Sequence, residues 1–81
     1  MKSKNLCVHV TENGETKVKV SMSARAAGNL TKIVPEHLFP KLEARRINLD
    51  TMSRECIASE FAPGELFLLE EPGKSVRVWL E

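Results

Sequence analysis

The strongest constraint on this chain is a two-residue turn set between two alternating segments. Leu6-Cys7-Val8-His9-Val10-Thr11 and Thr16-Lys17-Val18-Lys19-Val20-Ser21-Met22 flank Asn13-Gly14. Asn-Gly tolerates the two positive φ angles of a type I′ turn, whose twist matches that of paired antiparallel strands. A second alternating pair lies near the other end. Leu66-Phe67-Leu68-Leu69 and Val76-Arg77-Val78-Trp79-Leu80 flank Pro72-Gly73, and they predict a hairpin with a longer loop. A hairpin at each end, with helical sequence between, predicts an α+β domain. Its four strands should form one mainly antiparallel sheet, with two or three short helices on one face. The two hairpins are expected to join through the first and last strands, and the helices to pack on the Val8/Val10/Val18/Val20/Val78 side.

The intervening segment supports that reading. Ser23 is suited to cap a helix running from Ala24 to about Val34, with Ala27, Leu30, Ile33 and Val34 on its apolar stripe. Gly28 weakens this helix by about 1 kcal/mol relative to alanine. Pro35 and Pro40 each suit a first helical turn, so one short helical stretch is expected over 35–39 and another over 40–46. Leu38, Phe39 and Leu42 are their buried residues. Asn48 is a favourable N-cap, and Asp50 then falls in the first turn, where the helix dipole favours a negative charge. Leu49, Met52, Cys56 and Ile57 form the inward stripe of this last helix, which should end near Glu60 before Ala62-Pro63-Gly64 turns the chain into the third strand.

At 81 residues the chain makes one domain, expected over 6–81 after a flexible N-terminus of residues 1–5. A core of this size contributes no more than about 3–5 kcal/mol of net stability. Met1-Lys2-Ser3-Lys4-Asn5 leads straight into a strand with no apolar leader, and no apolar run reaches the roughly 18 residues that span a bilayer. A cytoplasmic setting is therefore expected, and with it free thiols at Cys7 and Cys56.

Few residues have the chemistry of an active site. Cys7 and His9 share a strand face, but side chains two apart on a strand sit about 7 Å from each other, beyond a direct hydrogen bond. Cys7, His9, His37 and Cys56 match no zinc spacing. The four glycines are isolated and form no phosphate loop. The chain is therefore expected to be no enzyme and to take no metal or other cofactor.

Charge is unevenly distributed although the whole chain carries only +1. Residues 1–49 hold nine Lys/Arg and four Glu, and residues 50–81 hold three Lys/Arg and seven Asp/Glu. Lys17 and Lys19 on the first hairpin, with Arg45 and Arg46 further on, are the candidate contacts of a nucleic-acid-associated regulator. This is the weaker expectation. There is no tyrosine to stack on bases, and Asp50, Glu55 and Glu60 make the last helix a poor recognition helix.

The C-terminal hairpin is apolar on both sides. Phe67, Leu69, Val76, Val78 and Leu80 serve one face. Leu66, Leu68 and Trp79, with Cys7 from the first strand, are expected on the other. The far side of a sheet covered by helices on one face should be polar, so these four residues are the candidate protein-interaction surface. The partner is a second copy or another protein.

The succession Val10-Thr11-Glu12-Asn13-Gly14, Lys17-Val18-Lys19-Val20, Ile33-Val34-Pro35, Ile47-Asn48-Leu49-Asp50, Gly64-Glu65-Leu66 and Val76-Arg77-Val78-Trp79-Leu80-Glu81 resembles the SHOCT-like domain of bacterial envelope-stress and regulator proteins, over roughly residues 6–81. The resemblance implies a small regulatory or interaction module with no catalytic signature and no cofactor. This chain departs from the family pattern in two places. Arg46 stands where related sequences often carry glycine, and Leu68 where they tend to carry a charged residue.

Overall fold

A computed structural model describes residues 2–81. Strands β1 (Asn5–Glu12) and β2 (Glu15–Ser23) are followed by a 3₁₀ segment (Ala24–Asn29) and a single helical turn, α1 (Leu30–Ile33). A second 3₁₀ turn (Glu36–Leu38), α2 (Phe39–Ala44) and α3 (Leu49–Ala58) come next, and β3 (Gly64–Glu71) and β4 (Lys74–Leu80) close the chain. The sheet order is β2-β1-β4-β3 with every neighbouring pair antiparallel. The hairpins thus join through the first and last strands, as the patterning predicts.

Both turns hold two residues. Asn13 and Gly14 have φ of 50° and 82° between the paired Glu12 and Glu15, as a type I′ turn requires. The second turn is shorter than expected: Glu71 pairs directly with Lys74 across Pro72-Gly73. Proline followed by a glycine at φ 77° is the sequence that a type II turn favours, so no longer loop is needed. The two turns meet where the Asn13 N–H donates to the Gly73 carbonyl at 2.9 Å. Ahead of β1, Ser3 N–H bonds the Phe61 carbonyl and Lys4 N–H that of Glu81. Backbone pairing therefore starts before residue 6, the expected start of the domain.

All the helical segments lie on one side of the sheet, here the inner face. Leu6, Phe67, Leu69, Val76, Val78 and Leu80 of the strands form one buried cluster with Ala24, Ala27, Leu30, Leu38, Leu42, Leu49 and Cys56. The predicted caps form. Ser23 Oγ accepts from Arg25 N–H, and Asn48 Oδ1 accepts from Thr51 N–H at 3.0 Å. The predicted helix over 24–34 does not form as one piece. Gly28 favours the helix weakly, and Asn29, at φ −144° and ψ 49°, is outside helical geometry. The chain therefore runs as 3₁₀ up to that point and closes only one α turn beyond it.

Two expectations about burial are corrected. Val78 is buried and Val8 and Val10 half-buried, but Val18 and Val20 are 42% and 39% exposed. Register does place them on the inner face, opposite Val10 and Val8. The helical layer covers β1, β4 and β3 and reaches edge strand β2 only at Met22. Ile57, expected on the inward stripe of α3, is 55% exposed; it lies against Gly28 at the outer limit of that packing.

Candidate protein-interaction surface

Among the described residues no helix lies on the opposite side of the sheet, the outer face, and strand register arranges its side chains in rows. Ser21, Cys7, Trp79 and Glu65 form one row, and Lys19, His9, Arg77 and Leu68 the next. At the centre is the Trp79 indole. His9 meets it edge-on with ring centroids 4.6 Å apart and planes at 84°. The Arg77 guanidinium lies 4.7 Å from its centroid, a cation–π distance. Arg77 also reaches Glu65 at 3.7 Å.

Glu81, directly beyond β4, bridges two of these groups. Trp79 Nε1–H donates to one carboxylate oxygen at 3.2 Å, and the Cys7 thiol donates to the other at 3.3 Å. These two hydrogen bonds, with help from the nearby His9 and Arg77, hold the Glu81 carboxyl below its ordinary pKa. Burial, and then the Glu81 carboxylate, push the Cys7 thiol up. Burial, and then the charge of Glu55, do the same for Cys56. Both sulfurs are therefore held as thiols, the unreactive form. The Cys7 thiol hydrogen bond goes to Glu81.

The four residues expected on this surface separate into three groups. Leu68 and Trp79 are on the outer face, Leu68 at 41% exposure and Trp79 half-buried beneath its own neighbours. Cys7 is on the same face but only 5% exposed, and so is unavailable to a partner. Leu66 is not on this face. The β3–β4 register shifts between Glu65 and Phe67, so Leu66 has no cross-strand partner, and it packs against the core, lining a pocket with Met52, Cys56 and Leu80. A β-bulge of one residue overrides simple alternation in this way. Glu81 and the His9–Trp79 contact escape the sequence reading. Glu81 follows Trp79 at period two, a legible signal, whereas the approach of His9 depends on pairing between strands from opposite ends of the chain.

The basic candidates are not brought together. Lys17 and Lys19 lie on edge strand β2, and Lys17 pairs with Glu15 at 2.8 Å. Arg45 sits at the opposite edge, where its guanidinium donates to the Glu70 carbonyl of β3. Arg46 follows it and lines a cleft of about 400 Å³ with Phe39, Leu42, Ile47, Glu43 and Asp50. Two strands separate the two basic groups. Among the described residues no three His, Cys, Asp or Glu side chains are grouped to hold a metal ion. Cys7 and Cys56 are both free, the first on the outer face and the second in the inner core. No helix among the described residues is long and apolar enough to cross a membrane. Searches of protein families, curated proteins and solved structures find no match to this chain.

Proposed function

We propose that the chain is a non-enzymatic interaction module that associates with a second copy of itself through the outer sheet face. The observation that carries this reading is Leu68, an exposed leucine on a helix-free sheet face, one row from an indole already flanked by Arg77 and His9. A solvated strand position is ordinarily polar, whereas tryptophan and arginine are enriched where interfaces hold their energy. Leu68, Arg77, Trp79 and His9 form a contiguous strip across β3, β4 and β1, rimmed by Glu65 and Lys19. A regulatory role accords with the resemblance to SHOCT-like domains. The two free thiols accord with a reducing compartment, the cytoplasm.

Sedimentation equilibrium of the parent and of Leu68→Glu tests the reading. The parent should show a reversible monomer–dimer equilibrium. Leu68→Glu should sediment as a monomer with an unchanged circular dichroism spectrum, because the side chain it replaces is outside the core. A parent that stays monomeric, or a variant that dimerises as the parent does, contradicts the proposal.

A further inference from the structure

We propose that the free edge of β2 receives an extended segment of another protein as a fifth strand, and that this segment carries an acidic side chain between two apolar ones. The proposal does not rest on the outer-face association: it concerns the backbone edge of β2 and its inner valines, and shares with that association only Lys19, at the rim of the outer strip. The two edges of the sheet are not equivalent. On β3, Arg45 donates to the Glu70 carbonyl, Lys41 pairs with Glu71 at 3.0 Å, and the bulge at Leu66 interrupts the ladder. These are devices that blunt an edge, and of them β2 has a bulge at Lys17 and the exposed Lys17 and Lys19, but, among the described residues, no side chain bonded to its backbone. On β2, seven consecutive residues, Glu15–Ser21, are exposed, and no side-chain hydrogen bond among the described residues reaches the strand's backbone.

The side chains along this edge specify the partner. On the inner side Val18 and Val20 stand 42% and 39% exposed beside the half-buried Val10 and Val8, an apolar ledge that the helical layer does not cover. On the outer side lies Lys19. Lys17 is committed to Glu15, while Lys19 has no ion pair among the described residues and continues a basic row through its register neighbours His9 and Arg77. The register shift at Lys17 leaves Val18–Ser23 as the regular ladder. An added strand therefore meets valine, lysine and valine in turn. It is best matched by apolar residues opposite Val18 and Val20 and a carboxylate opposite Lys19, because opposite charges across strands stabilise pairing and like charges oppose it. The same rule disfavours one register of a second copy here. In a two-fold pairing of β2 with itself, the register that sets valine against valine on both strands also sets Lys19 against its own counterpart.

The test uses ¹⁵N-labelled protein and two capped seven-residue peptides, one alternating valine with glutamate and one alternating valine with lysine. The valine–glutamate peptide should bind at least tenfold more tightly and shift the amide signals of residues 18–23. Lys19→Glu should reverse the preference, and Val20→Asn should weaken the valine–glutamate peptide severalfold. Absence of binding, equal binding of the two peptides, shifts located away from β2, or a preference that survives Lys19→Glu would each overturn the proposal. So would concentration-dependent shifts of β2 without peptide in Leu68→Glu, since with the outer-face association removed they would assign the edge to a second copy.

Discussion

Arg46 and Glu60 occupy left-handed backbone positions, at φ 59° and 57°, and each is there for the same reason. The Ile47 and Arg46 N–H groups bond back to Leu42 and Glu43. The Phe61 and Glu60 N–H groups bond back to Cys56 and Ile57. Both sets of bonds form the Schellman pattern that ends a helix, in which the left-handed residue is usually glycine. For a residue with a Cβ this conformation costs about 1–2 kcal/mol, against about 0.5–1 kcal/mol for the greater freedom glycine gives the unfolded chain. Arg46→Gly and Glu60→Gly should therefore each stabilise the fold, by roughly 0.5–1 kcal/mol, seen as a higher urea midpoint at constant slope. An unchanged or lower midpoint would mean that the arginine or glutamate side chain contributes more than its backbone costs. With no glycine at 46 or 60, the sequence alone marks neither position as left-handed.

Local chemistry encodes the turns, caps and strand pairs well, since each depends on neighbours in the chain. Asn13-Gly14, Ser23 and Asn48 all act as their residue types predict. What alternation alone does not show is the extra residue of a bulge, and Leu66 is on the core side for that reason. Nor does it show tertiary hydrogen bonds such as the one between the 3₁₀–α1 segment and α3. There the buried Ser53 Oγ accepts from the Leu30 N–H at 3.0 Å. This contact supplies a partner for a backbone donor at the start of α1, where the helix itself offers none. Ser53→Ala should leave that donor buried and unpaired, at a cost of about 1–3 kcal/mol, measured by chemical denaturation. A loss below a few tenths of a kcal/mol would show that the donor finds water or another acceptor.

The sheet is wider than the layer that covers it. Helices totalling few turns bury the inner face of β1, β4 and β3, leaving the β2 valines and the entire outer face without a helical cover. The patterning of the strands made the two faces legible, but not how far the short helices extend across them. That extent is set by the Gly28–Asn29 break and by the two Schellman turns, which keep each helix to a few turns. The most direct check of the outer face as an association surface is a dilution series followed by ¹H–¹⁵N spectra. The chain has a single tryptophan, so its indole N–H signal reports on Trp79 alone. The predicted result is that this signal and the Leu68 amide move together with protein concentration, while the amides of the buried Val78 and Leu42 stay in place. An indole signal fixed at every concentration, or movement confined to other surfaces, would contradict it.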